Sequence, residues 1–179
     1  SRYLPDRRDL NRFFPGTRSG SAASRLAYDF FNSVVLACDY LIDFHTGSFE
    51  RSNLPQVRGD LRIREVMEFT KNFGATPVLH SPGARGMLRM AATEAGIPAI
   101  TFEIGAPIRL EIKEIEAGTL AVETVMHKLG MTEKLRVWTE RQAVFYDATW
   151  VRAPVGGMLI GQSTLGSRVK QGEVLATIR

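Results

Sequence analysis

The sequence predicts an α/β fold, with a largely parallel (mixed) sheet flanked by helices, followed by a small all-β domain. Apolar strand-like segments alternate with amphipathic helical segments through residues 1–130. This alternation implies crossover connections and a sheet that is covered on both faces. From Met131 the helical period disappears, and short strand-like segments alternate with glycine turns. We therefore expect two domains, residues 1–130 and residues 131–179.

Four helices are predicted from apolar spacing and from residues that start or stop a helix. They comprise residues 21–39, 60–74, 85–96 and 114–130. Ser21 or Ser24 is available as the N-cap of the first helix, and Asp60 is a plausible cap of the second. Gly74 is expected to end the second helix.

Three apolar strands are predicted between these helices, at residues 40–45, 76–80 and 99–105. In open α/β sheets the ligand crevice lies outside the carboxyl ends of the parallel strands. His45 ends the first strand and Glu103 lies near the end of the third. We therefore expect both side chains to project into one crevice.

The composition favours an ordered protein with a real core, and its modest positive charge is compatible with binding of an acidic small substrate. Of 179 residues, 44% are hydrophobic and 23% are charged, which argues against disorder. The net charge is +4, but the basic residues form no stripe of the kind that binds nucleic acid. The one cysteine, Cys38, excludes an internal disulfide and a cysteine-based zinc knuckle. No membrane-length apolar run or signal peptide is present, so we expect a cytoplasmic protein; a homo-oligomer stays open.

Three stretches, with four polar residues, carry the candidate chemistry, and each has a structural alternative. Asn11 and Arg12, in "RDLNRFFPG", form a potential clamp for a carboxylate, or simply a turn with a surface arginine. His45 shares a strand face with Asp43, which suits either a metal ligand oriented by a carboxylate or a structural pair. Glu103 lies in an otherwise apolar strand, where it requires a proton, a metal or an arginine partner.

The C-terminal "APVGGMLIGQSTLGSRVKQGEVLA" has the glycine spacing of biotinyl and lipoyl domains. In those domains the modified lysine lies on an exposed hairpin, usually beside methionine. Lys170 instead follows Val169 before a glycine turn. We interpret the similarity as architectural, of the barrel-sandwich type, and expect no attached cofactor.

Four segments, taken together and in this order, resemble the succinylglutamate desuccinylase/aspartoacylase family of zinc-dependent amidohydrolases with a carboxypeptidase-like core. The segments are "RDLNRFFPG", "DYLIDFHTG", "GIPAITFEIG" and the "APVGG" region. The resemblance implies that His45 is the third zinc ligand and that Glu103 is the general base. It also implies that Asn11 and Arg12 grip the substrate carboxylate, and that Arg2 polarises the scissile carbonyl.

One feature departs from the family pattern. The first two zinc ligands of the family form a His-x-x-Glu motif, which does not occur here, and no histidine precedes His45. We therefore expect two further Zn²⁺ ligands upstream of Arg2, and a sequence that lacks the family's N-terminal segment and the end of the β domain. Whether the 179-residue piece binds zinc or is active by itself stays open.

The leading functional hypothesis is a zinc-dependent hydrolase that cleaves the amide bond of an N-acyl amino acid or a related N-acyl amine. The alternatives are a zinc carboxypeptidase that acts on peptides and a non-catalytic binding module of the biotinyl or lipoyl type. The acyl group and the amine cannot be read from the sequence. The roles of His80 and of two arginines expected in loops, Arg58 and Arg85, also stay open.

Overall fold

The computed structural model describes residues 2–109, 111–133 and 141–179. The chain divides into two compact units, one that ends at Tyr146 and one formed by Asp147–Arg179. This division falls later in the chain than the domain boundary predicted after residue 130, which stays a prediction. Residues 134–140, which belong to the β-rich segment predicted from Met131 onward, lie outside the described residues.

The first unit contains a five-stranded mixed sheet. Its strands are β1 (Leu41–His45), β2 (Asn53–Gly59), β3 (Val78–His80), β4 (Ala99–Gly105) and β5 (Val144–Phe145). They lie in the order β1-β4-β2-β3-β5. All neighbouring pairs are parallel except β2 and β4, which are antiparallel. The predicted fold class, a largely parallel mixed sheet flanked by helices, is confirmed.

Within the described residues, four α-helices flank this sheet, as predicted. They are α1 (Ala22–Ser33), α2 (Arg64–Thr70), α3 (Leu88–Glu94) and α4 (Ile112–Lys128). Single 3₁₀ turns at Val35–Ala37 and Lys71–Phe73 follow α1 and α2, so both helices are shorter than expected. Ser21 caps α1 by accepting a hydrogen bond from the Ser24 N–H at 3.2 Å.

Asp60 does not cap α2, in contrast to the prediction. The helix begins four residues later, and the Asp60 carboxylate instead accepts the backbone N–H of Arg62 at 3.2 Å. The Arg62 guanidinium also pairs with Asp60 at 2.7 Å, and this hydrogen bond lowers the pKa of the carboxyl group. Asp60 therefore closes the turn that precedes the helix.

Strand β2 is absent from the sequence-based prediction, and the assignment of Arg58 to a loop was wrong. Pro55 lacks a backbone N–H and is therefore unfavourable inside a sheet. The pairing of β2 with β4 shifts register between Asn53 and Gln56, so the proline falls at an irregularity in the ladder. Arg58 lies beyond it, paired with Thr101 of β4.

Both faces of β4 are buried, as its apolar sequence predicts. Ile100 and Phe102 pack in one hydrophobic cluster with residues of α2 and α4, whereas Ala99 packs in another with residues of α1 and α3. A strand covered on both faces has little freedom to shift its register, because a one-residue slip would move each side chain to the opposite face. This rigidity matters for the polar groups at its end.

The second unit contains a two-stranded antiparallel sheet of β6 (Leu159–Gly161) and β7 (Ala176–Ile178). Lys170 lies in the segment of chain that connects these strands, and its backbone N–H donates to the Glu173 carboxylate at 2.9 Å. Over the whole described chain, no helix has both the length and the apolar character needed to cross a membrane.

The turn at Gly16 provides a test of how the N-terminal segment is fixed to α1. Gly16 has a φ of +86°, and a Cβ there would overlap the backbone of Tyr28 and Ser24. Gly96 has nearly the same φ, +87°, but a Cβ there would extend into open space. We expect Gly96→Ala to lower the free energy of unfolding by about 1 kcal/mol, from backbone strain alone. Gly16→Ala should lower it by about 2–4 kcal/mol, since overlap adds to the strain. Equal losses in urea denaturation would contradict this account.

Candidate active site

The pairing of β1 with β4 places a histidine beside a glutamate. The two strands run parallel in a register that makes His45 the partner of Glu103. His45 Nδ1 lies 3.9 Å from Glu103 Oε1. The side chains are mostly buried, with 29% of His45 and 13% of Glu103 exposed. The structure thus brings together His45 and Glu103, the polar residues predicted at or near the carboxyl ends of two strands.

Asp43 holds the other side of the His45 ring. Its Oδ2 lies 3.0 Å from His45 Nε2. This hydrogen bond raises the pKa of His45, while burial of the ring acts in the opposite direction. Because Asp43 is an acceptor, Nε2 carries the proton, and in the neutral imidazole Nδ1 keeps its lone pair on the side of Glu103.

Asn11 connects three segments at the edge of this pair. It lies in a 3₁₀ turn, Leu10–Arg12, and its Oδ1 accepts the backbone N–H of Leu88 at the start of α3, at 2.7 Å. That bond fixes the orientation of the amide, so Nδ2 faces His45 Nε2 at 3.3 Å. Since Nε2 already donates to Asp43, it cannot accept from Asn11. The Asn11 amide protons therefore remain available to a ligand.

Asp9 forms an ion pair with Arg2 and lies at the limit of ion-pair distance from Arg12, and sequence reasoning missed it. Its Oδ2 lies 3.1 Å from Arg2 Nε and 3.9 Å from Arg12 Nη2, while its Oδ1 accepts the backbone N–H of Asn11 at 3.0 Å. About half of each arginine side chain, 51% for Arg2 and 48% for Arg12, stays exposed. An aspartate two positions before Asn11, at a turn N-cap, was the available sequence cue.

Glu103 is held mainly by an amide. Asn53 Nδ2, at the start of β2, donates to Glu103 Oε2 at 2.7 Å. Arg58 Nε lies farther away, 4.0 Å from Glu103 Oε1. The buried glutamate–arginine pair considered from the sequence is therefore present only at the limit of ion-pair distance. Asn53 was missed because its strand was missed.

A buried arginine supports the strand end from one side. Arg89 of α3 is 2% exposed, and its guanidinium donates to Thr101 Oγ1 of β4 at 3.1 Å and to the Ser81 carbonyl at 2.7 Å. Among the described residues, no carboxylate forms an ion pair with it. Burial lowers the pKa of Arg89, and the charge of Arg58 adds to this effect. A charged residue within the apolar α3 segment was the sequence cue that it is special.

Two residues whose roles were open from the sequence lie elsewhere. His80 Nδ1 accepts the backbone N–H of Leu61 at 3.1 Å, so it secures the turn before α2. Arg85 is exposed in the loop before α3. An apolar groove of about 460 Å³, lined mainly by side chains of α4 and by Phe44, includes none of the predicted site residues.

The predicted zinc ion requires more ligands than the described residues offer. Within the described ranges, no group of three or more His, Cys, Asp or Glu side chains could hold a metal ion. His45 is one candidate ligand, with its orienting carboxylate already in place. One imidazole does not make a zinc site, so the described chain alone does not fit the ion.

Comparisons with known proteins agree with the fold and with the predicted family. The succinylglutamate desuccinylase/aspartoacylase catalytic domain matches residues 1–129. A curated relative, the N-alpha-acetyl-L-2,4-diaminobutyric acid deacetylase of Halomonas elongata, is 24% identical over 95% of this chain and 53% of its own length. The chain thus spans about half the length of this relative.

Two solved structures superimpose on nearly the whole chain. The product-bound ectoine utilization protein EutE (DoeB) of Ruegeria pomeroyi has a TM-score of 0.87 at 22% identity, over 99% of this chain and 57% of that protein. The succinylglutamatedesuccinylase/aspartoacylase of Rhodobacter sphaeroides has a TM-score of 0.84 at 25% identity, over 100% of this chain and 58% of that protein.

Replacement of the buried Arg89 tests its role in supporting β4. Arg89→Met leaves the Ser81 carbonyl and Thr101 hydroxyl without their donor, and we expect the free energy of unfolding to fall by about 2–4 kcal/mol. Arg89→Lys keeps the charge but not the two-pronged donor, so its loss should be intermediate. Arg64→Met, on the exposed surface of α2, is the control and should change stability by less than about 0.5 kcal/mol. A similar effect of both methionine variants in urea denaturation would disprove a supporting role.

Proposed function

The chain belongs to the succinylglutamate desuccinylase/aspartoacylase family, and on this basis we propose that the whole protein hydrolyses the amide bond of an N-acyl amino acid or a related N-acyl amine. The observation that carries the proposal is the placement of Glu103 beside His45 at the end of two parallel strands. Among the contacts of the described residues, Oε1 of this mostly buried carboxylate accepts no hydrogen bond, and such an oxygen suits proton transfer. The partly exposed Arg2 and Arg12 add positive charge for an anionic substrate.

We propose that Glu103 is the general base. It would take a proton from the attacking water and then return this proton to the departing amine nitrogen. Arg2 would donate to the carbonyl oxygen as negative charge develops there. Arg12 and Asn11 would hold the substrate carboxylate, which fixes the amide relative to Glu103. The products would be a carboxylic acid and a free amino acid or amine.

Zinc is the proposed metal of the whole protein, with His45 as one ligand. Because Asp43 engages Nε2, Nδ1 would be the nitrogen available to the ion. The remaining ligands would come from residues other than those described. When bound, zinc would polarise a carbonyl and lower the pKa of a coordinated water to about 7.

The names of the relatives guide the choice of substrates. One relative is named for deacetylation of N-alpha-acetyl-2,4-diaminobutyrate, and the family is named for acylaspartate and succinylglutamate. We propose that this protein acts on a short N-acyl group attached to an amino acid. The single cysteine is compatible with the cytoplasm, which we keep as the proposed compartment.

The direct test is a hydrolysis assay of the whole protein, zinc-loaded, with a panel of substrates. The panel contains N-alpha-acetyl-2,4-diaminobutyrate, N-acetylaspartate, N-succinylglutamate and a short peptide with a free carboxyl end. We expect release of a free amine from an N-acyl amino acid and not from the peptide. Hydrolysis of the peptide alone would favour a carboxypeptidase, and no hydrolysis of any compound would disprove the proposed activity.

Glu103→Gln should reduce kcat by about 10³-fold or more on the best substrate, because the amide cannot accept a proton from water. KM should change little, since Glu103 is not assigned to substrate binding. Circular dichroism and zinc content serve as controls and should match those of the wild type. A wild-type kcat in this variant would remove Glu103 from the role of general base.

Arg12→Met should raise KM for an N-acyl amino acid by about 10–100-fold, because a hydrogen bond to a charged group is lost. The KM of Arg12→Lys should lie between those of the wild type and Arg12→Met, since lysine keeps the charge without the planar fork. The matched control is a substrate that lacks the carboxylate, such as an N-acetyl alkylamine. Its hydrolysis should be equally slow with both arginine variants and the wild type; a loss as large as for the amino acid would contradict the assignment.

A further inference from the structure

We infer that Asn53 is a positioning residue for Glu103, and that it makes Oε1 the oxygen that transfers the proton. The inference rests on the proposed function, in which Glu103 is the general base. It concerns the contact between the first residue of β2 and the carboxylate near the end of β4, a contact that the family resemblance does not assign.

The two oxygens of Glu103 have different surroundings. Oε2 accepts a 2.7 Å hydrogen bond from Asn53 Nδ2. Oε1 has His45 Nδ1 at 3.9 Å and Arg58 Nε at 4.0 Å, both beyond hydrogen-bond distance. Oε2 is therefore engaged, while the lone pairs of Oε1 remain available on the side of His45. An oxygen that must accept a proton from water needs this freedom.

A neutral amide is suited to this task. The terminal torsion of a glutamate side chain is broad, so an unheld carboxylate samples many orientations. The hydrogen bond from Asn53 restricts that torsion. Unlike an arginine in direct contact, an amide brings no positive charge that would make the carboxylate a weaker base.

The backbone explains how Asn53 reaches Glu103. Beyond β1, Gly47 donates its N–H to the Gly105 carbonyl at 2.9 Å, and a Cβ at Gly47 would overlap the Arg51 carbonyl. A turn follows, in which the Arg51 N–H donates to the Ser48 carbonyl at 2.9 Å. This turn returns the chain to β4, where Asn53 pairs with Gly105. The register shift that follows Asn53 separates it from the regular ladder of β2.

Gln56 provides a natural control on the same strand. It is the register partner of Glu103, yet its amide donates to the Leu54 carbonyl at 3.3 Å and accepts from Arg58 Nε at 3.4 Å. Among the described contacts, it forms none with the Glu103 carboxylate. Asn53 and Gln56 are therefore two amides near the same glutamate, of which one holds it.

The test compares Asn53→Ala and Gln56→Ala in the whole protein, with the best substrate of the panel. Asn53→Ala should lower kcat by about 10–100-fold, by analogy with the loss seen when the hydrogen-bond partner of a metal ligand is removed. KM should stay within about threefold, and Gln56→Ala should keep kcat within about twofold. Asn53→Asp, which places a second carboxylate against Glu103, should lower kcat at least as much as Asn53→Ala. Equal effects of the alanine variants, or a change confined to KM, would overturn the inference.

A double variant separates positioning from general damage. If Asn53 acts only through Glu103, then Asn53→Ala should add no further loss to the residual rate of Glu103→Gln. An additive loss would overturn the inference.

A crystal structure of the whole Asn53→Ala protein tests the contact without an activity assay. The Glu103 carboxylate should occupy more than one orientation in the variant and a single one in the wild type. If no panel compound is hydrolysed, the proposed function fails, and this comparison still decides whether Asn53 orients Glu103. An unchanged Glu103 in the variant would overturn the inference.

Discussion

The parallel pairing of β1 with β4 is the constraint on which the site depends. Five successive pairs, from Leu41 with Ala99 to His45 with Glu103, fix the register along the whole of β1. Since side chains alternate between faces, a slip by one residue would separate the imidazole from the carboxylate. The packing of Ile100, Phe102 and Ala99 against helices on both faces resists such a slip. The apolar interior therefore determines the distance between two polar groups at its edge.

The charges around this edge are balanced by a buried cation that makes no ion pair within the described residues. Arg89 is fixed by neutral acceptors, Thr101 and the Ser81 carbonyl. The negative charges of Asp43 and Glu103 nevertheless favour its protonated form at longer range. Its charge in turn opposes the increase in the pKa of His45 that Asp43 produces. Because the interior has a low effective dielectric constant, such charges interact without contact. The charges at this edge thus influence the buried guanidinium and the imidazole without touching them.

Local patterns in the sequence predict what depends on local structure. The sequence predicts that His45 and Glu103 lie close together, from the apolar segments of β1 and β4 and the rule for the carboxyl ends of parallel strands. The structure shows the same proximity. The same patterns do not predict β2, because Pro55 is unfavourable in a strand and the partners of β2 are distant in the sequence. Asn53 contacts a residue 50 positions away in sequence. The environment of Arg89 is likewise set by tertiary packing, so the sequence marks the residue as unusual but does not predict its hydrogen bonds.

Two asparagine side chains orient groups in this site by hydrogen bonds that carry no net charge. The side-chain carbonyl oxygen of Asn11 accepts a hydrogen bond from the Leu88 N–H, and its amino group faces His45. Asn53 uses its amino group to fix one oxygen of Glu103. An amide carries both a donor and an acceptor without net charge, so it can orient a neighbour and leave that neighbour's charge intact. If close ion pairs neutralised Glu103, Arg2 and Arg12, these residues would have little charge left to interact with a substrate. The use of amides where orientation is needed, and of partly exposed arginines where charge is needed, is what a site for a polar, anionic substrate requires.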